Sequence, residues 1–170
     1  AQLINGAGTA GTIEGLIAAV PAFTPVASGI VGANIYDLIK KVRTDIVFNR
    51  GSKYAPDIVV MNSNTIDSLQ LTKDANRNYI FKDTLNVGSM IIVEDNNMPD
   101  NVLVVGDRRY ARIYEMFGVI ISRGLKGDQF VQDLETIKAR TRLLMLIRNV
   151  DKTGFRKVTS ISAALVTLAS

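Results

Sequence analysis

The chain contains no cysteine and no histidine. Without cysteine it can form no disulfide, thiolate metal site or cysteine nucleophile, and without histidine it has no imidazole ligand and no Ser-His-Asp triad. Any enzymatic interpretation is therefore restricted to carboxylate, lysine or backbone chemistry. The sequence favours a protein that is not an enzyme and that binds no cofactor.

Long apolar runs are absent as well. No run reaches the roughly 18 residues that a membrane span requires, so we expect a soluble chain with no membrane partner. The first 20 residues lack a basic flank followed by an apolar block, so the sequence predicts no secretion signal. The first residue is Ala1 and not methionine, which indicates a processed chain or an excised piece.

The composition is that of an ordinary folded protein. With 170 residues, 47% hydrophobic and 21% charged, the chain is long enough for one domain, or one domain with a small appendage. Its net charge of +4 is too small to indicate nucleic-acid binding. The segment 138–170 is nevertheless basic, with one acid, Asp151, and seven cations that would suit a neighbour's acidic surface or a polyanion. These cations are Lys138, Arg140, Arg142, Arg148, Lys152, Arg156 and Lys157.

The segment 57–81 predicts a strand, a capped helix and a turn. Its β-branched run 58–61 is too short for a typical helix, and Asn62 or Ser63 can accept hydrogen bonds from the first helical turn that follows. The apolar positions of that helix are Ile66, Leu69 and Leu71.

Residues 34–48 predict the clearest helix of the chain. Apolar residues recur there at helical spacing opposite a charged face, and Gly51 is placed to cap the end of the helix. A shorter helix is predicted over 12–20.

Short strands are predicted after residue 81. The β-branched runs 88–93 and 101–105 are separated by a polar turn, and 111–117 with 119–122 form a further pair hinged at Gly118. The acids Glu94, Asp95, Asp100 and Asp107 lack the spacing of a calcium loop, which favours turn residues over a metal site.

The C-terminal part predicts one helical turn and two strands. The turn lies within 128–133, and alternating residues in 134–150 favour a long strand. A turn over 151–154, with Gly154 at positive φ, should lead to a last strand over 155–163 that pairs back as a hairpin.

Three cations share one face of the predicted long strand: Lys138, Arg140 and Arg142. Such a stripe is most often a solubilising edge. A contact with another subunit, to which Arg148 would add, is the second interpretation, and DNA contact is the third.

The glycine-rich segment from Gly6 to Gly11 matches the dinucleotide fingerprint G-x-G-x-x-G. That motif requires a preceding strand, a following helix and an acidic residue roughly 20 positions further on. Only five residues precede Gly6, and no acid lies at that spacing, so a plain glycine-rich loop is favoured. A small α/β nucleotide-binding protein stays open as the alternative.

Four blocks of the sequence together resemble the major capsid proteins of tailed bacteriophages. The blocks are the glycine-rich turn with Glu14-Gly15-Leu16, the segment 57–81, the segment 102–122 and the segment that starts at Asp128-Gln129-Phe130. Each block alone is ordinary strand and turn sequence, but their order and spacing match that family over nearly the whole chain.

The resemblance implies an α+β fold of the Hong Kong 97 type. An axial domain with a central mixed sheet flanked by helices would comprise residues 12–115 with 155–170, strands of the peripheral sheet would comprise 117–150, and 1–11 would be a glycine-rich lead-in. The N-terminal arm, extended loop and spine helix of the family would be missing, so the chain should be monomeric or associate weakly.

The function that the resemblance implies is structural. Copies would form the hexamers and pentamers of an icosahedral shell that encloses DNA, contacted only non-specifically. The protein would be located in the virion, after synthesis in the cytoplasm of the bacterial host.

Overall fold

Two β-sheets organise the part of the chain that the computed structural model describes, which is residues 2–9, 11–50, 53–82 and 86–170 without the side chain of Arg50. The strands are β1 (Ile58–Met61), β2 (Asn86–Val87), β3 (Met90–Glu94), β4 (Leu103–Gly106), β5 (Arg112–Gly124), β6 (Thr136–Leu146) and β7 (Phe155–Val158). The helices are α1 (Gln2–Asn5), α2 (Leu16–Ala19), α3 (Ile35–Arg50), α4 (Ser63–Gln70) and α5 (Ile161–Ala169). Single 3₁₀ turns cover Arg108–Tyr110, Gly127–Phe130 and Lys152–Gly154.

The larger sheet has the strand order β2-β3-β1-β4-β7, and β5 and β6 form the other sheet. The central strand β1 is parallel to β3 and antiparallel to β4, so the larger sheet is mixed, as the resemblance implies. We call the larger sheet with its helices the body, and β5, β6 and the connecting residues 125–135 the ribbon.

The core occupies both faces of the body sheet. Successive side chains of a strand point to opposite faces. On β1, Val59 and Met61 pack with α3, α4 and α5, whereas Val60 packs with α2 and with Phe155 of β7.

The helix α3 confirms the prediction over 34–48. Its inward-facing residues Leu38, Ile39, Val42 and Ile46 are fully buried. At its start, the Asn34 amide donates to the Asp37 carboxylate and the Asp37 amide donates to the Asn34 side chain, both at 3.1 Å. Two amides that the helix leaves unpaired are thereby satisfied. The predicted cap at Gly51 lies outside the described residues.

The strand and capped helix of 57–81 are confirmed as β1 and α4. Asn62 is the cap: its side-chain oxygen accepts from the Asn64 amide at 3.0 Å, and its Nδ2 donates to the Met98 carbonyl at 2.8 Å. The assignment of Leu71 to the apolar face is wrong, because α4 ends at Gln70 and Leu71 is 61% exposed.

The predicted hinge at Gly118 is wrong. β5 runs through Gly118 as one strand of 13 residues, because the segments on both sides of it pair with β6. The extra residues of β5 are absorbed by register shifts between Glu115 and Phe117 and between Phe117 and Ile120. Such β-bulges bend and twist a strand without ending it.

The predicted C-terminal hairpin is also wrong. β7 pairs antiparallel with β4 of the body and not with β6, and it ends at Val158. The Ser160 hydroxyl then accepts from the Ala163 amide at 3.4 Å and caps α5. The predicted strand over 155–163 therefore included the first residues of α5.

Gly154 does not have the positive φ that the turn prediction gave it. Glycine is required at this position because it has no side chain: a Cβ would clash with Cδ1 of Tyr54, at a distance of 2.6 Å. The predicted helix over 12–20 is shorter than expected, because α2 covers only Leu16–Ala19.

Candidate functional site

Lys138, Arg140 and Arg142 lie exposed on one face of β6, as their alternation predicts. Across the ribbon, Lys138 is opposite Ser122, Arg140 opposite Ile120, and Arg142 opposite Phe117. Paired residues of antiparallel strands share a face, so no carboxylate lies directly opposite these cations.

Aromatic and sulfur groups contact two members of this row. The Arg140 guanidinium lies 5.9 Å from the centre of the Phe117 ring, and Nη1 of Arg142 lies 3.7 Å from the Met116 sulfur. The row therefore combines cations with apolar surface on the ribbon.

Arg148, the fourth predicted contact residue, lies apart from the row. It follows β6, and its Nε and Nη2 donate to Oδ2 of Asp151 at 2.8 and 2.7 Å. The structure thus brings three of the four predicted residues together and uses the fourth in an ion pair within the chain.

The opposite face of the ribbon carries exposed apolar residues, which the sequence analysis missed. Ile121 and Ile137 are 67% and 63% exposed; Ala139 is paired directly with Ile121, and Arg123 is paired with Ile137. A two-stranded ribbon is at best marginally stable alone, and an exposed apolar patch marks an interaction surface. Alternation within β5 and β6 hints at this face, but the cross-strand register that assembles it is not visible in the sequence.

The base of the ribbon holds an ionic cluster around two buried carboxylates. Asp107 accepts from the Ala55 amide at 3.0 Å and from the Arg109 side chain at 2.9 and 2.5 Å. Asp151 accepts from Lys53 at 2.9 Å and from Arg148. The cluster joins residues that are up to 98 positions apart in the sequence.

Both carboxylates are held in the ionised form. Burial raises the pKa of Asp107, but the hydrogen bonds from Arg109 and the Ala55 amide outweigh it, so the pKa lies below its usual value. The hydrogen bond from Lys53, with that from Arg148, lowers the pKa of Asp151 against the effect of burial. Neither carboxylate is therefore suited to proton transfer near neutral pH.

Three of the four acids that the sequence analysis considered as metal ligands have separate partners. Asp95 accepts from the Asn97 amide at 2.8 Å, Asp100 accepts from Asn64 at 3.2 Å, and Asp107 belongs to the ionic cluster. Across the described ranges, no group of three or more acidic side chains is placed to hold a metal ion.

The Gly6 to Gly11 segment does not have the geometry of a dinucleotide loop. The helix α1 precedes it in place of a strand, and α2 has only four residues. The Gly6 and Gly8 amides donate to the Gln2 and Ile13 carbonyls at 2.9 and 3.3 Å, so these amides are not available to a phosphate.

No helix among the described residues is long and apolar enough to cross a bilayer.

Comparison with known proteins decides the family. The model of the phage capsid family matches residues 1–151. The chain belongs to the phage capsid family. No protein of curated function matches the sequence of this chain.

Solved structures similar to this phage capsid family member include one from Gordonia phage Cozz, with a TM-score of 0.66 and 11% identity over 93% of the chain. One from Microbacterium phage Oxtober96 has a TM-score of 0.63 and 15% identity over 79%. The capsid of an empty GTA particle has a TM-score of 0.57 and 18% identity over 78%. The chain spans 55%, 50% and 47% of these three structures, respectively. The predicted α+β fold of the Hong Kong 97 capsid type is thereby confirmed.

Proposed function

We propose that the chain is part of a structural subunit of a phage or prophage head. Copies form the hexamers and pentamers of an icosahedral shell that encloses DNA, and the protein catalyses no reaction. The observation that carries this proposal is the family match over residues 1–151, and the likeness of the fold to phage structures supports it. The protein is located in the capsid of the virion, and its chains are made in the cytoplasm of the bacterial host.

The domains of this subunit follow the division expected from the resemblance. Residues 12–115 with 155–170 are the axial domain, 117–150 are peripheral strands, and 1–11 are the lead-in. The return of β7 to β4 supports an axial domain built from two segments, because the body sheet needs both. β5 starts at Arg112, so the strand itself crosses from one domain to the other.

The ribbon is the surface that contacts neighbouring copies, through Lys138, Arg140, Arg142 and Arg148. The exposure of the first three supports this role, as do the apolar residues on the opposite face. Arg148 contributes less, because Asp151 of the same chain already engages it.

Sedimentation velocity over a wide concentration range, with electron microscopy of the heaviest species, tests the proposal. We expect weak, concentration-dependent association into rings of five or six copies. Arg142→Glu should abolish this association, whereas Lys41→Glu, a charge reversal on the exposed side of α3, should preserve it. A chain that stays monomeric throughout, and whose melting temperature rises with a dinucleotide, would contradict the proposal.

A further inference from the structure

A cavity of about 320 Å³ opens at the base of the ribbon, where the chain leaves the body and returns to it. Its wall includes Arg109, Tyr110, Arg112, Tyr114, Arg148 and Asp151. Arg109 belongs to the 3₁₀ turn after β4, Arg112 begins β5, and Arg148 follows β6. Three guanidinium groups from three different segments therefore meet at one concave surface.

Two of these guanidinium groups are fixed from behind. The Asp107 carboxylate accepts from Nε and Nη2 of Arg109, and the Asp151 carboxylate accepts from Nε and Nη2 of Arg148. The carboxylates are buried, but the Arg109 and Arg148 side chains are 60% and 68% exposed. Each arginine has five N–H donors in a rigid fork, so donors remain for a ligand in the cavity.

The side chain of Arg112 forms no ion pair or hydrogen bond with another described residue. The other cations around the base, Lys53 and Arg108, pair with Asp151 and Asp57. The base thus carries five cations, namely Lys53, Arg108, Arg109, Arg112 and Arg148, and three carboxylates, Asp57, Asp107 and Asp151. Two positive charges are left without a counter-charge.

We propose that this cavity binds a phosphate group, as inorganic phosphate or as a phosphate monoester. Such a group carries a charge of about −1.5 to −2 at neutral pH and three or more acceptor oxygens. It matches both the uncompensated charge and the number of guanidinium forks. A carboxylate has one negative charge and two oxygens, which would leave one of the three forks unpaired.

The bound phosphate joins the ribbon to the body. It bridges Arg109, in the turn after β4, to Arg112, the first residue of β5, and to Arg148, which follows β6. The ligand would therefore restrict the angle between the two parts of the molecule. This inference does not depend on the proposed shell function, since it concerns a single copy of the chain.

Calorimetric titration and thermal unfolding of the chain with inorganic phosphate, at constant ionic strength against chloride, test the site. We expect saturable binding and a rise in the melting temperature. Arg112→Gln should weaken binding by about tenfold or more, because it removes a charge-assisted hydrogen bond. Since the Arg112 side chain has no partner in the described part of the chain, the variant should melt like the wild type without phosphate.

Lys41→Gln is the control, because it removes a positive charge from the exposed side of α3, outside both the cavity and the proposed subunit contact. It should change the dissociation constant less than twofold. Titration with thymidine 5′-monophosphate and with thymidine separates the two sources of the group: tighter binding of the monophosphate than of inorganic phosphate identifies a monoester, and equal binding identifies free phosphate.

Three results would overturn the inference. The first is no saturable binding of phosphate. The second is equal weakening by Arg112→Gln and Lys41→Gln, which would indicate diffuse charge. The third is acetate that stabilises the chain as much as phosphate does.

Discussion

The body and the ribbon are built from similar apolar residues, but they bury them to very different extents. In the body, all four residues of β4 are buried, and so are the inward-facing residues of α3. In the ribbon, β5 and β6 contain no buried residue. Isoleucine is fully buried at position 39 and 67% exposed at position 121. Apolar content therefore predicts strands in both parts. A strand is buried only where other elements of the chain pack against it.

The two parts are also held differently. The body is stabilised by apolar packing on both faces of its sheet. The ribbon is stabilised by its own hydrogen-bond ladder and is attached to the body at the ionic cluster around Asp107 and Asp151. Matched substitutions in the two parts test this difference.

The largest contrast is expected for isoleucine truncation. Ile39→Ala should lower the free energy of unfolding by about 2–5 kcal/mol, because it leaves a cavity in the core. Ile121→Ala should change it by less than about 0.5 kcal/mol in the isolated chain. Urea unfolding measures both values. A loss at position 121 as large as that at position 39 would mean that the ribbon is packed in the single copy.

Glycine substitution should give the next contrast. A Cβ at Gly106 would lie 2.0 Å from Cδ1 of Phe155, whereas a Cβ at Gly118 would have its nearest neighbour, Oε1 of Glu115, at 3.9 Å. Gly106→Ala should therefore cost about 1–3 kcal/mol through overpacking. Gly118→Ala should be close to neutral. Thermal unfolding distinguishes the two, and equal costs would contradict the packing described for the β4–β7 pair.

The pH dependence of stability should come from the base of the ribbon. The pKa values of Asp107 and Asp151 are lower in the folded chain, so the unfolded chain binds more protons as the pH falls below the ordinary carboxyl pKa of 3.8. Their contribution is thus complete above that value and is lost as the pH falls through the folded pKa.

Asp151→Asn should remove part of this dependence and cost about 1–2 kcal/mol at pH 7. Glu115→Gln, which replaces an exposed carboxylate of the ribbon, is the control and should cost less than about 0.5 kcal/mol at pH 7. Unfolding in urea at a series of pH values between neutral and acid provides the comparison. An unaltered profile for Asp151→Asn would contradict the assignment.

The smallest contrast concerns two arginines. Arg148→Gln should cost at most about 1 kcal/mol, because its ion pair with Asp151 is partly exposed to solvent and Lys53 remains on the same carboxylate. Arg142→Gln should cost less than about 0.3 kcal/mol, since Arg142 forms no ion pair with a carboxylate of the described residues. Differential scanning calorimetry resolves this order, and its reversal would place Arg142 in a stabilising contact.

The sequence predicted correctly those features that depend on residues close together in the chain. The periodicity of α3 and the cap at Asn62 lie within a few residues of the contacts that they describe. The pairing of β7 with β4 was missed because the partners are about 50 residues apart and the preceding strand, β6, was the nearer choice.

The same distinction applies to the candidate site. Alternation along β6 was enough to predict a shared face for Lys138, Arg140 and Arg142. It could not assign Arg148, whose ion pair depends on the path of the chain after the strand. The cluster of Asp151 with Lys53 joins residues 98 positions apart, so no local pattern indicates it. Alternation within β5 and β6 indicates the apolar positions of the ribbon but not the register that brings them together.

The strand order has a consequence for folding during synthesis. β4 is complete at Gly106, but its partner β7 begins only at Phe155, after the whole ribbon. At roughly 5–20 residues per second, the ribosome needs about 2–10 s to reach β7. For that time one edge of β4 is unpaired in a chain that also displays the apolar ribbon. Exposed strand edges recruit other strands, so the nascent chain is most prone to aggregation in this interval.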